Sequence, residues 1–324
     1  MKRARGLQHA AFALLLAACG SRTGLFVEDT PEALPIEDDG GIGTGRKDAA
    51  RDAPDAEMPD APPPIDVAPP PDVFKNDCPD ADSTLVYVIT EQYELFSFFP
   101  PDATFKKIGN IACPAPSGTT PFSMAVDRKG IAYIVFNDGH LYRVSTASAA
   151  CIGTSFVVGQ QGFTTFGMGY ATDLGGPSES LYVAGDMENG QGATGLAKID
   201  TTSFGLSRIG DFTPAINRAE LTGTGGGQLF AFYAKTLNAT DSYIGEIDKT
   251  TANIIGESHL ATVNQGGGWA FAFWGGDFYT FTAPDGPSSS SLVQRFRPMD
   301  GTVVQVTTLP TTIVGAGVST CAPE

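Results

Sequence analysis

Residues 131–145 read Ile-Ala-Tyr-Ile-Val-Phe-Asn-Asp-Gly-His-Leu-Tyr-Arg-Val-Ser. Two runs of β-branched and aromatic residues flank Asn137-Asp138-Gly139, a turn sequence that tolerates positive φ. The stretch therefore predicts a β-hairpin. The same layout recurs along the chain. First strands are expected at residues 85–89, 131–135, 181–184, 229–232 and 278–281. Taking Tyr87, Tyr133, Tyr182, Phe230 and Tyr279 as equivalent positions, the steps are 46, 49, 48 and 49 residues. Second strands follow at 94–98, 141–145, 196–200, 243–248 and 292–296. Third strands follow at 106–109, 151–153, 208–210, 253–256 and 303–306, four of them carrying Ile-Gly.

A fourth kind of strand, rich in small residues, precedes each of the last four units, at 123–126, 167–170, 221–224 and 270–273. The first unit has none before it. The missing copy, Ile313-Val314-Gly315-Ala316-Gly317-Val318, stands near the C-terminus. Radial repeats crowd at their axis, so small side chains belong on the innermost strand. A displaced last strand that completes the first unit is how such a ring closes. The expected fold is all-β: a five-bladed propeller of four-stranded blades over residues 78–324, closed by the C-terminal strand.

The Tyr-Val-Ile, Tyr-Ile-Val and Tyr-Val-Ala runs at 87–89, 133–135 and 182–184, with their partners Leu-Tyr-Arg-Val-Ser-Thr (141–146) and Ala-Lys-Ile-Asp-Thr-Thr (197–202), resemble the YVTN/quinoprotein-amine-dehydrogenase-like propeller superfamily. The resemblance implies an architecture. It implies no activity, and no residue here indicates a quinone or any other cofactor.

The N-terminus has a different composition. Lys2, Arg3 and Arg5 precede an apolar run over residues 10–18, nine residues long. A membrane-spanning helix takes about 20 residues, so the run reads as an export signal over 1–18. It ends in Leu16-Ala17-Ala18-Cys19. This resembles the lipobox of bacterial lipoproteins, which implies cleavage before Cys19 and acylation of its thiol. Gly20 in place of an Asp resembles lipoproteins sorted to the outer membrane, facing the periplasm or the cell surface. Two or three chains at about 0.8 kcal/mol per buried CH₂ would anchor the protein firmly. Residues 20–77 hold ten Pro, ten Asp and seven Ala, with 14 acidic against 5 basic residues. Such a segment cannot bury enough apolar surface to offset its ordering entropy, so residues 19–77 are expected to be a lipidated, disordered tether. As a coil it would span roughly 40 Å.

The whole chain of 324 residues carries 36 acidic and 20 basic side chains, a formal net charge of −16. A duplex nucleic-acid binder needs a basic face to displace counterions, so that class is excluded. Five cysteines less the acylated Cys19 leave four in an exported protein, which predicts two disulfides. Cys78 precedes the strand that the closing strand should pair with, and Cys321 follows the closing strand, so Cys78–Cys321 is expected. Cys113 and Cys151 bound outer strands of adjacent blades. Twist accumulated across each blade brings such ends together, so Cys113–Cys151 is expected.

Chemistry is sparse. The sequence has no HExxH, CxxC, GxSxG or P-loop pattern, and after signal removal only His140 and His259 remain. His140 follows a hairpin turn and reads as solvated. Asp77, Asp80 and Asp82 read as a solvated loop rather than a calcium site, and no metal is expected. Glycoside hydrolysis needs two carboxyl groups about 5–10 Å apart. Glu220 is the one acid near the start of an inner strand, while Asp127 and Asp173 follow theirs at the opposite rim. The better candidates lie in loops leading into inner strands: Gln160, Gln161, Arg218, Glu220, Asn264, Gln265 and Trp269. Amides, an Arg and a Trp suit recognition of a glycan or protein ligand. The sequence thus predicts a non-enzymatic outer-membrane lipoprotein whose propeller is a binding module. The competing expectation is an envelope hydrolase, acting on a carbohydrate or lactone at the channel.

Overall fold

The computed structural model describes residues 84–173, 177–186, 193–286 and 289–324. The signal, Cys19, the tether, Cys78, Asp77, Asp80 and Asp82 lie outside the described residues. No described helix is long and apolar enough to cross a membrane.

Among the described residues, twenty strands form five antiparallel four-stranded sheets. The first blade takes β1 (Val86–Thr90), β2 (Glu94–Phe99) and β3 (Thr104–Asn110). The second holds β4 (Pro121–Val126), β5 (Ile131–Phe136), β6 (Leu141–Ser145) and β7 (Cys151–Gly153). The third holds β8 (Thr165–Thr172), β9 (Glu179–Asp186), β10 (Ala193–Ile199) and β11 (Leu206–Gly210). The fourth holds β12 (Asn217–Gly223), β13 (Leu229–Ala234), β14 (Ser242–Ile247) and β15 (Ile254–Leu260). The fifth holds β16 (Trp269–Trp274), β17 (Asp277–Thr282), β18 (Ser291–Arg297) and β19 (Thr302–Leu309). The closing strand, β20 (Ile313–Val318), pairs antiparallel with β1 and completes the first blade.

The strands read as nearly continuous apolar runs because both faces of each blade are buried. In β5, Tyr133 and Val135 face the third blade, whereas Ala132, Ile134 and Phe136 face the first. Five apolar clusters result, one at each junction between neighbouring blades. The junction between the fifth and first blades sets Tyr279 and Phe281 against Val86, Val88, Phe98 and the closing-strand residues Ala316 and Val318.

The inner strands meet around the axis in the order β4, β8, β12, β16, β20 and back to β4. The ladders put Ser123, Gly167, Glu220, Ala270 and Gly315 at one level, opposite Val135, Ala184, Phe232, Phe281 and Ile89. Four of the five are small because backbones touch there. A Cβ on Gly167 would stand 2.0 Å from the Ala219 carbonyl oxygen, and one on Gly315 2.7 Å from the Met124 nitrogen. The fifth is Glu220, whose side chain occupies the room its small neighbours leave.

Cys113 and Cys151 are bonded, with Cα atoms 4.9 Å apart, tying the end of the first blade to the outer strand of the second. Cys321 is disulfide-bonded as well; Cys78, its expected partner, is outside the described residues.

Candidate functional site

The inner strands begin at one face of the ring, the mouth, and end at the other, the tail face. Three of the five carry an extra residue at the mouth. The ladder slips between Pro121 and Ser123 in β4, between Asn217 and Glu220 in β12, and at the Ile89/Thr90 step opposite β20. The residues set out of register are Phe122, the Arg218-Ala219 pair and Val314. A β-bulge re-aims the side chain it carries; here the bulges set Phe122 and Val314 against one cavity and Arg218 over the Trp269 ring.

Arg218 adopts φ +54°, a left-handed conformation that costs a non-glycine residue of order 1 kcal/mol or more. Its guanidinium carbon sits 3.9 Å from the ring centroid of Trp269, a cation–π contact worth about 1 kcal/mol when partly exposed. Its Nη2 donates to the Gly266 carbonyl, while the Gln265 Nε2 donates to the Arg218 carbonyl at 3.0 Å. The two bonds staple the bulge of β12 to the loop before β16. Asn264 shapes that loop by accepting the Gly266 N–H at 3.1 Å.

Trp269 in turn meets Phe122 edge-on, centroids 6.3 Å apart and planes at 82°. Beside this corner lies a cavity of ≈160 Å³, lined among others by Glu91, Thr120, Phe122, Asn137, Trp269 and Val314. Asn137, from the hairpin turn, accepts the Thr120 N–H at 3.1 Å and so fixes one rim. Three polar atoms near the Trp269 strand pair are buried without a protein partner: Trp269 Nε1, Gln265 Oε1 and Thr282 Oγ1. Trp269 and Thr282 are direct cross-strand neighbours.

Below the corner the axis is filled. Glu220 is 2% exposed. Its Oε2 accepts the Ser123 hydroxyl at 2.7 Å, and Ser123 Oγ accepts the Met168 N–H at 3.2 Å. One level further, the Thr222 hydroxyl oxygen accepts the Phe273 N–H at 3.1 Å. These bonds cross from blade to blade, so the polar side chains of the axis join inner strands.

The structure thus brings together Arg218, Gln265, Asn264 and Trp269 at the mouth, with Glu220 beneath them. It places Gln160 and Gln161 elsewhere. Gln160 donates to the Phe204 carbonyl and accepts the Leu206 N–H, and Gln161 donates to the Leu206 carbonyl. Both amides fasten the loop before β8 to the start of an outer strand. Their loop packs Phe156 and Phe163 between the second and third blades instead of turning toward the axis. Sequence reasoning missed Phe122, Val314 and Asn137. The residue before each inner-strand small position is Phe122, Phe166, Ala219, Trp269 and Val314, and this column was the available signal. His140 is exposed and pairs with Asp138 at 3.0 Å; His259 pairs with Asp241 at 2.7 Å and stacks on Tyr243. No group of three or more metal-ligating side chains occurs among the described residues.

No protein-family profile matches this chain, and no curated protein is similar to it. Among solved structures it is similar to a protein of unknown function from Bacteroides caccae, at 11% identity and a TM-score of 0.39, over 72% of this chain and 85% of that one.

The tail face is built differently. Arg128, just past β4, donates from Nε to the Thr320 hydroxyl at 2.6 Å, from Nη2 to the Thr172 hydroxyl at 2.7 Å, and from Nη1 to the Pro177 carbonyl. Its backbone N–H donates to Glu179 Oε1 at 2.7 Å, and Thr320 donates to Glu179 Oε2 at 2.8 Å. Beyond Thr320 the chain crosses to the fifth and fourth blades. The Gly275 N–H donates to the Pro323 carbonyl at 2.7 Å, and the Gly226 N–H to the Glu324 side chain. A cleft of ≈340 Å³ remains beside this clasp, lined among others by Asp127, Lys129, Tyr170, Ser178 and Glu179. Burial raises the carboxyl pKa of Glu179, against the bonds from Arg128 and Thr320. Burial likewise raises that of Asp127, against N–H bonds from Ile131 and Lys129. The buried Tyr170 phenol is pushed well above its usual range by desolvation and by its neighbour Tyr133.

Proposed function

We propose that this chain is a lipid-anchored protein of the bacterial outer membrane whose propeller binds a glycan or protein ligand at the mouth without transforming it. The observation that carries the reading is the mouth itself. The bulge residues Phe122 and Val314 line one small cavity with Trp269, and the bulge of β12 holds the strained Arg218 over the Trp269 ring. Backbone strain at a half-buried rim, held by specific bonds, fits a preorganised site. The anchoring part of the reading rests on Leu16-Ala17-Ala18-Cys19 and the acidic Pro-rich segment behind it. Together these would attach the propeller to a membrane through an acidic, Pro-rich segment. Cofactors and metals play no part in it.

Two measurements test the reading. Cys19→Ser should move the protein from the membrane to the soluble envelope fraction; unchanged membrane fractionation would refute the anchor. The full chain should retain components of an envelope glycan and peptide fraction at unchanged mass, and a Trp269→Ala/Arg218→Ala variant should not. Recovery of cleaved components would refute the non-catalytic reading.

One observation favours the second reading, an envelope hydrolase acting on a carbohydrate or lactone. Asp127 and Glu179 line one cleft, each with its pKa raised, and such groups concentrate at catalytic sites. Against it stands the use of both Glu179 oxygens and of Asp127 Oδ1 in bonds that hold turns and the tail. Turnover of a nitrophenyl glycoside or a lactone, abolished by Glu179→Gln, would establish it.

A further inference from the structure

The binding-module reading leaves the ligand class open, and the mouth narrows it. We propose that the cavity takes one uncharged pyranose ring, the terminal sugar of a glycan; this inference rests on that reading. Size points to a single ring. At ≈160 Å³, the cavity compares with the cavity of about 150 Å³ that takes up benzene, so it has room for one small ring. It is too small for a drug-sized or multi-residue ligand, whose pockets start at about 300 Å³. The occupant is therefore the end of something larger, or a single ring.

Shape points to a pyranose. Aromatic rings pair offset-stacked or edge to face, so a flat aromatic ligand needs a free face or edge of a ring here. Here Trp269 and Phe122 stand at 82° and already meet edge to face, and Arg218 covers a face of the indole. That leaves a corner of C–H and π surface completed by Val314 and Pro121. A pyranose chair fits a corner, because its axial C–H groups project out of the ring plane.

Polarity points to a neutral one. Glu91, Thr120 and Asn137 stand on the rim from two hairpins and a loop. A carboxylate, a hydroxyl and an amide around an apolar corner offer both donors and acceptors to equatorial hydroxyls. Charges of both signs stand at the site, Glu91 in the lining and Arg218 against the Trp269 ring, so an anionic ring gains no net attraction while the hydroxyls of a neutral ring can serve both.

The chain has two tryptophans, Trp269 and Trp274. Trp274 lies at the far end of β16, where its Nε1 donates to the Thr84 carbonyl at 2.7 Å. Full-length Trp274→Phe therefore reports on Trp269 alone. We would titrate it with methyl glycosides of neutral hexoses and N-acetylhexosamines, with methyl glucuronide, and with N-acetyltyrosinamide. Saturation-transfer NMR on the wild-type chain covers the case in which the variant misfolds. The expected result is a saturable change in Trp269 emission with at least one neutral glycoside and with neither other probe. Phe122→Ala should weaken that binding at least tenfold. Saturation with N-acetyltyrosinamide alone would overturn the sugar assignment and leave the binding module standing. Saturation with methyl glucuronide alone would overturn neutrality. No saturable response in either measurement would overturn the site. Release of free sugar would confirm the pyranose site and overturn the non-catalytic reading.

Discussion

The two ends of the propeller axis use the same five strands for opposite purposes. At the mouth, three strands slip register; Phe122 and Val314 build an apolar corner with Trp269, and Arg218 is held beside it. At the tail face the ladders of β4 and β8 run regularly to their last residues. There Arg128, Glu179 and Thr320 bond across the first three blades while the last residues reach the other two. One end therefore gives up local stability for shape, and the other supplies connections that hold the ring. The difference teaches that polar residues near a propeller axis are not interchangeable candidates for chemistry. Glu220 is buried and Glu179 half-buried, and both serve to join blades.

The largest expected effect tests the closing role of the C-terminus. Deleting residues 311–324 removes β20 and the clasp together. It exposes the edge of β1 and strips the fifth–first junction of Ala316 and Val318. Cooperative thermal unfolding should disappear. A truncated chain that melts like the full-length one would show that the ring does not depend on its last strand.

The next effect is smaller. Replacing Cys113 and Cys151 by Ser opens a cross-link between residues 38 apart in sequence. Loop entropy allows a loss of up to about 4 kcal/mol, though measured losses are often smaller. The melting temperature should fall by several degrees while binding at the mouth is unchanged, because the bond lies at the outer edge of the blades. A shift within error would mean that apolar packing alone fixes that junction.

The smallest effect concerns pH. Burial raises the Glu179 pKa in the fold above its ordinary value of 4.5. The fold then binds a proton more tightly than the unfolded chain does. The group's contribution is full below about pH 4.5 and is lost as pH rises through the raised value. Many exposed carboxylates titrate nearby, some in the opposite sense, such as Asp200 and Asp248. The informative quantity is therefore wild type minus Glu179→Gln. That difference in stability should favour wild type more at pH 5 than at pH 7. A difference that grows with pH would reverse the assignment.

Much of this fold is legible in the sequence because each blade is buried on both faces, so every strand repeats an apolar pattern at a nearly fixed period. The innermost strands are legible through their small residues, and closure is legible because the first unit lacks that strand. Strand ends are less so. β8 and β12 begin two and four residues before the expected starts at 167 and 221. Neither the register slip at Arg218 nor its left-handed backbone has a glycine or proline to announce it. Trp269, Arg218 and Gln265 stand out as polar or aromatic residues in loops before small strands. Gln160 and Gln161 stand out for the same reason, yet they serve backbone groups of the third blade. Side-chain type alone does not tell a rim residue from a loop fastener. Phe122 escapes notice because it stands directly before the expected strand at 123–126 with no polar group to mark it; only its bulge turns it to the mouth.

The contrast between the two ends is tested most directly by one paired measurement, melting and Trp269 titration of Arg128→Ala and Phe122→Ala side by side. Arg128 is largely buried in its network, so its loss should cost about 2–4 kcal/mol, or several degrees to above ten in melting temperature. At a temperature where the variant is still folded, it should bind the neutral glycoside as wild type does. Phe122→Ala should melt within a few degrees of wild type and lose at least tenfold in affinity. If Arg128→Ala instead abolishes binding in the folded state while Phe122→Ala keeps it, the binding site lies at the tail face and the mouth is not the ligand-binding end of the ring.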